Sequence, residues 1–306
     1  MRSLAAAGAL IGATVVLMIV GLGVERAAAA NTRIVSDTTT ITGPNDTPRK
    51  VVLCPRKNKR FNFPYGGGMF SPDPYGAEGE GIYPHSYERL GVQHGYHVTP
   101  VYYDPSPDAA SGPRQVTLQV VCGPEPGKLT PPHDTAQVDP GQVRTHVTGC
   151  PGRRQLIGGG FQRTTFVGPI RGAPPSGVFP TEALAVAPDV WKTSGEAFGK
   201  FGGELTSIAY CRRSKKPLLS EVTASVAINP RQAASATTPP CPGKRRMVFS
   251  GFTTFPLGSI FFAGGPLNGN DSVTGTGYNR SISSAILTVK GYCMNVKSRP
   301  KGMKRG

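Results

Sequence analysis

The chain repeats one short pattern three times, and that repetition limits its folds more than any other feature. From Cys54 it reads CPRKNKRFNFPYGGGMF, from Cys150 CPGRRQLIGGGFQ and from Cys241 CPGKRRMVFSGFT. Each stretch is a Cys-Pro, a basic group and an apolar run interrupted by glycine. A second cysteine closes each unit: QVTLQVVC ends at Cys122, ELTSIAYC at Cys211 and SAILTVKGYC at Cys293. A unit of roughly 60 residues buries too little surface by itself, so the three are expected to share one core.

The pattern within each unit is that of strands. Opening strands are expected at 33–42, 142–148 and 221–228, and central strands at 95–103, 181–188 and 259–265. The run after the first cysteine and the run into the second supply the other two. Alternation and the Val, Thr and Tyr content favour strands over helices. With 40 glycines and 30 prolines, long helices are hard to build. The expected class is all-β: three pseudo-repeated four-stranded units, β-prism-like and disulfide-stapled, with a three-bladed array or a trefoil as alternatives. The triplets Gly66–Gly68 and Gly158–Gly160 mark a bulge, a bend or a close backbone approach. No Gly-Lys-Ser/Thr and no helix signal follows them, so they are not expected to be phosphate loops.

The ends define the rest of the organisation. Met1-Arg2, an uncharged apolar stretch from Leu4 to Gly23 and the alanines Ala27–Ala30 read as a signal peptide over residues 1–30. About twenty apolar residues also suffice to span a bilayer, so an uncleaved anchor is the alternative. Residues 31–295 are expected to form a single domain of units 31–130, 131–217 and 218–295, followed by a basic tail at 296–306. The protein is then secreted or associated with the cell envelope.

Six cysteines in such a chain are expected to be oxidised. Two symmetric pairings fit the repeat. Pairing within units gives Cys54–Cys122, Cys150–Cys211 and Cys241–Cys293. Pairing between units gives Cys122–Cys150 and Cys211–Cys241, with Cys54–Cys293 closing the ends. The first is preferred, because each unit then carries its own staple, at roughly 4 kcal/mol per loop. No C-x-x-C pair is present to suggest a metal cluster.

The Cys-Pro, the basic pair, Gly-Gly-Gly-Phe, Trp and Ala-Tyr-Cys are clearest in the middle unit, at Cys150, Pro151, Gly152, Gly158–Gly160, Phe161, Trp191, Tyr210 and Cys211. This pattern resembles the repeat of uncharacterised secreted proteins of actinobacteria and covers most of residues 50–295. The first unit departs from it by an insert and the third lacks the tryptophan. The threefold plan is also distantly similar in architecture to the β-prism of vitelline membrane outer layer protein. The resemblance implies export and a stapled β fold, and carries no catalytic residue.

Charge placement points to a surface. The chain carries a formal +16, which suits anionic polymers or membrane surfaces. Basic residues follow the first cysteine of every unit: Arg56, Lys57, Lys59 and Arg60; Arg153 and Arg154; Lys244, Arg245 and Arg246. Arg212, Arg213, Lys215 and Lys216 follow a second cysteine. With pairing inside units, these clusters are expected to gather into a basic pole that holds an anionic polymer. The insert at 71–97 adds Tyr83, Tyr87 and Tyr96, read as an exposed loop able to stack on sugar rings. It also holds His85, His94 and His97, a weak metal candidate set of undiagnostic spacing.

No G-x-S-x-G, H-E-x-x-H or G-x-G-x-x-G leading to a helix is present. The expectation is a non-enzymatic envelope or extracellular protein without cofactor, binding an anionic or sugar-bearing polymer. The alternatives are a structural surface protein without a specific ligand and, remotely, a glycoside hydrolase, which needs only two carboxylates. Nucleic acid is not an expected partner, since the basic clusters lack interleaved aromatics.

Overall fold

Short alternating segments separated by Pro, Gly and Asp turns form strands throughout. The computed structural model describes residues 32–42, 50–55, 61–71, 81–90, 95–103, 113–163, 166–167, 176–200, 202–269 and 271–296, and among these there is no helix. The expected signal peptide, the basic tail from residue 297 and the cluster Arg56, Lys57, Lys59 and Arg60 lie outside the described residues. The first third of the chain forms β1 (Arg33–Ile41), β2 (Lys50–Leu53), β3 (Phe63–Phe70), β4 (Gly81–Leu90), β5 (Gly95–Tyr103), β6 (Arg114–Gly123) and β7 (Leu129–Thr130). The second forms β8 (His133–Val138), β9 (Val143–Gly149), β10 (Arg154–Arg163), β11 (Phe166–Val167), β12 (Ser176–Ala187), β13 (Val190–Phe198) and β14 (Gly203–Arg213). The third forms β15 (Leu219–Ile228), β16 (Ala233–Thr237), β17 (Arg246–Phe255), β18 (Ile260–Gly264), β19 (Leu267–Asn268), β20 (Ser272–Asn279) and β21 (Ala285–Met294).

The units therefore hold more than the four strands expected of each, and they share sheets. One seven-stranded sheet has the order β2-β5-β4-β10-β14-β7, with β8 also on β14. It joins the first third to the second through Phe161 opposite Tyr87. The other runs β15-β21-β17-β12-β13-β9, with β11 on β12. It joins the second third to the third through Glu182 opposite Thr253. A three-stranded sheet, β1-β6-β3, and a four-stranded one, β16-β20-β18 with β19, complete the set. Their edge strands meet at β3 and β18. There Gly264 lies against the Met69 carbonyl, and the Gln119 side chain accepts the Leu267 amide at 2.8 Å.

The opening strands are present in all three thirds but differ in their partners. β1 pairs with β6 and β15 with β21, each a cysteine-bearing strand. In the second third, the expected 142–148 strand is β9, and it pairs with β13 instead. β8, three residues beyond β7, takes the place beside β14.

Oxidation follows the pairing within units: Cys54–Cys122, Cys150–Cys211 and Cys241–Cys293. The second cysteine of each pair stands beside a bulge. The register slips between Pro64 and Gly66 opposite Cys122, between Leu156 and Gly158 opposite Cys211, and between Met247 and Phe249 opposite Cys293. The extra residues, Tyr65, Ile157 and Val248, are all buried. A bulge points consecutive side chains the same way and turns the strand, so β3, β10 and β17 dip together into the interior. A side chain at Gly66 would strike the Cβ of Phe249 and the Val248 carbonyl. At Gly159 it would strike the indole of Trp191.

Around this convergence lies the largest core cluster, with Phe249 stacked on Tyr292 at 4.4 Å and Trp191 edge-on to Phe249 at 5.6 Å. A second cluster belongs to the first third, built on Ile41, Met69, Ile82, Tyr96 and Leu118. Half-buried Tyr87 packs against both. From Asn31 onward the chain is one compact unit, and every sheet pairing and disulfide described lies within it.

Two substitutions separate the close approach from glycine content as such. Gly159→Ala is expected to lower stability by about 2 kcal/mol or more, because the methyl overlaps a ring that has no room to move. Gly149→Ala, with open space at that position, is expected to change it by less than about 0.5 kcal/mol. Denaturant unfolding of the two variants measures the difference; equal effects would contradict the close-approach account.

Candidate anion-binding site

β10 and β14 bring the middle basic clusters together. The ladder sets Arg154 opposite Arg213, Gln155 opposite Arg212 and Leu156 opposite Cys211. β7 continues the sheet, with Leu129 opposite Arg212 and Thr130 opposite Cys211. Lys128, one residue before β7, is exposed and falls at the level of Arg213. Three cations thus line up across the end of one sheet: Lys128, Arg213 and Arg154. The flanking turns are tied in place. The Ser214 amide donates to the Arg153 carbonyl at 3.2 Å, Arg154 Nη1 to the Pro151 carbonyl at 3.1 Å, and Ser214 Oγ to the Lys216 carbonyl at 2.6 Å. Arg153, Lys215 and Lys216 stand exposed on these turns.

Among the described residues, no carboxylate forms an ion pair with any of these seven cations. Like charges directly opposite in a ladder repel, so this row lacks the compensation other cations receive. Lys192 meets Glu182 at 2.8 Å, Arg280 meets Glu196 at 2.6 Å and Lys290 meets Glu221 at 2.8 Å. The third cluster is compensated in part: Arg246 pairs with Asp271 at 2.6 Å, whereas Lys244 is exposed and Arg245 half-buried. Tyr65, at the cysteine end of the first unit, lies near Arg212 of the second. Its hydroxyl donates to the Pro124 carbonyl at 2.8 Å, just past Cys122. Burial raises its pKa, and the nearby Arg212 charge opposes that shift.

The aromatic insert is corrected. Its described residues, 81–90 and 95–97, are no exposed loop: they lie in the paired strands β4 and β5, which add to a sheet and turn Tyr83 and Tyr96 inward. Tyr83 and Tyr96 are 1% and 2% exposed. Tyr83 packs with Phe179 and Phe261, and the Tyr96 hydroxyl donates to the Gly159 carbonyl at 3.4 Å. Tyr87 meets Phe161 edge-on at 5.3 Å. None offers a face for stacking on a sugar. Trp191 is likewise in the core, with its indole N–H on the Gly160 carbonyl at 3.1 Å.

His97 faces Glu88 across the same two strands, Nδ1 to Oε1 at 2.6 Å, with Thr99 Oγ1 3.0 Å from Nε2. Both ring nitrogens are therefore engaged. The His85 side chain and His94 lie outside the description, and among the described residues no three His, Cys, Asp or Glu side chains gather as metal ligands.

The sequence pattern did not single out Glu182, a buried carboxylate with three partners. It accepts from Ser194 and Thr253 at 2.9 Å each and from Lys192. The ladder registers extend this into one polar row across six strands: Ser225, Thr288, Thr253, Glu182, Ser194 and Thr145. With its oxygens so occupied, Glu182 is suited to holding β12, β13 and β17 together. Arg163 is similarly internal. It lies over the Phe179 ring at 4.8 Å and donates to the Val178 carbonyl, and burial lowers its pKa to about 9. The cavity between Tyr96, Gly159, Trp191 and Phe249 measures about 20 Å³, room for a water molecule and nothing larger. Lys128 also escaped the sequence reading, because only the β7–β14 register brings it to the row.

Removing one charge from the row tests its repulsion. Arg154→Gln or Arg213→Gln is expected to stabilise the ligand-free protein by a few tenths of a kcal/mol at low ionic strength, with the gain fading as salt is added. Arg246→Gln, which breaks the pair with Asp271, should give no such gain. Chemical denaturation at two salt concentrations reads the effect, and destabilisation by all three alike would refute it. No protein-family model matches the chain, and no curated protein is significantly similar to it.

Proposed function

We propose that this is an exported, non-enzymatic protein of the cell envelope or extracellular space that holds an anionic polymer at the cysteine end of β10 and β14. The observation that carries this reading is the row Lys128, Arg213 and Arg154, with Arg153, Arg212, Lys215 and Lys216 around it and no carboxylate pair among the described residues. Arginine side chains held side by side suit phosphate or carboxylate groups, which they bind through paired N–H donors. Three disulfides fit an oxidising environment, and the N-terminal thirty residues read as the export signal. The burial of Tyr83 and Tyr96 removes the sugar-stacking contact from this reading and leaves charge as its basis. We read the fold that carries the row as a threefold β-prism. The bulge repeated beside each second cysteine supports that architecture.

Sedimentation of the oxidised chain from Asn31 onward with isolated cell envelope, across a salt series, tests the function. Binding is expected to fall steeply with salt. The double variant Arg154→Gln/Arg213→Gln is expected to bind at least about tenfold more weakly, because charge-assisted hydrogen bonds contribute roughly 1.5–3 kcal/mol each. Absence of binding at low salt would favour the structural reading, in which the charge serves only solvation. Retention of full binding by the variant would move the site elsewhere.

A further inference from the structure

At the other end of β17 and β21, far from the disulfide, the surface changes character. Among the described residues, Phe255 is 71% exposed, Leu257 42%, Ile282 91% and Ile286 43%. These are half of the large apolar side chains exposed among the described residues; the others, Leu53, Val143, Val147 and Val186, belong to other strands. Phe255 and Ile286 are directly opposite in the ladder. Leu257 and Ile282 sit on the adjoining turns.

Those turns are built as one piece. Asn279 is fully buried. Its Nδ2 donates to the Ile228 and Ser283 carbonyls, both at 2.8 Å, and its Oδ1 accepts the Ser281 amide at 2.9 Å and hydroxyl at 2.7 Å. Its backbone bonds with Arg231 and Gln232. Arg280 ties in the next turn, donating its amide to the Ser259 carbonyl at 3.0 Å and Nε to the Gly258 carbonyl at 2.6 Å. A turn held this firmly keeps Ile282 outside, where it gains nothing from the protein's own core.

We propose that this tip docks on an anionic lipid surface, with Phe255, Leu257, Ile282 and Ile286 entering the acyl boundary and Arg231 at the headgroup phosphates. Clustered exposed apolar groups mark interaction sites. The side chains are Phe, Leu and Ile on protruding turns, the chemistry of shallow insertion into a bilayer interface. Glu196, the carboxylate that reaches this tip through Arg280, is held in a 2.6 Å ion pair. Arg231 is exposed and has no ion pair among the described residues. The tip is therefore net positive on a chain of +16, complementary to anionic headgroups. A second copy is the poorer occupant, since a twofold contact would bring Arg231 and Arg280 of both copies together. This surface is independent of the basic row.

The experiment is flotation of the oxidised chain from Asn31 onward with vesicles of phosphatidylcholine containing about one third phosphatidylglycerol. The expected result is binding that weakens at least about tenfold in Phe255→Ser/Ile282→Ser and persists in Arg154→Gln/Arg213→Gln. Both serines replace exposed groups, so the thermal midpoint of that variant should match the parent and exclude misfolding. Undiminished binding by Phe255→Ser/Ile282→Ser would overturn the proposal. So would vesicle binding lost only in the arginine variant, or no vesicle binding together with a dimer in sedimentation velocity that the serine variant abolishes.

Discussion

Three strands carry glycine where their neighbours carry side chains, and the packing of the whole interior depends on how closely they approach. β3, β10 and β17 each bulge beside a disulfide and turn into the centre. Gly66 meets the backbone of β17 there, and Gly158 the Tyr65 carbonyl at 3.1 Å from where a Cβ would stand. Gly159 leaves the space that Trp191 fills. The indole fixes Phe249 and Tyr292 in turn, and the Tyr292 hydroxyl accepts the Ala185 amide at 2.8 Å. Close packing of this kind transmits any change in volume. The convergence therefore sets where the flanking sheets can lie.

The disulfides and the bulges work at the same level of the molecule. Each bridge anchors the entry to a bulged strand onto the cysteine strand beside it, at sequence separations of 68, 61 and 52. That anchoring defines two ends. At the cysteine end of the second unit, the strand starts and the turns after them project cations. At the opposite end of the third, turns latched by Asn279 and Arg280 project apolar side chains. A fold that buries Tyr83, Tyr96 and Trp191 has only such ends and its sheet faces for outside contacts. Here the two ends differ in chemistry, positive at one and apolar with arginine at the other.

Polar groups that lie between strands mostly serve cohesion. The row from Ser225 to Thr145 crosses six strands, and Glu182 within it neutralises Lys192 while accepting two hydroxyls. His97 and Glu88 do the same for β4 and β5. Such groups look like chemistry in a list of residues and act as fasteners in the fold, because a buried carboxylate or imidazole with satisfied neighbours has no free position for a ligand.

The sequence by itself determined the β class, the extents of β5, β10, β17 and the cysteine strands to within a residue or two, and the glycines as sites of bulging or close approach; of two symmetric disulfide pairings it preferred the one the structure holds. These features are local: alternation, Cys-Pro spacing and glycine are written in consecutive residues. Only the tertiary structure decided which strands are neighbours. Sharing of sheets between thirds, the place of β8 beside β14, the inward turn of Tyr83 and Tyr96, and the meeting of Lys128, Arg213 and Arg154 all arise from pairing between distant segments. The identity of a strand's partner depends on the burial of whole faces rather than on the strand's own residues. The same argument separates the basic clusters, which looked equivalent in sequence: Arg246 meets Asp271, distant in the chain, and Arg154 meets another arginine.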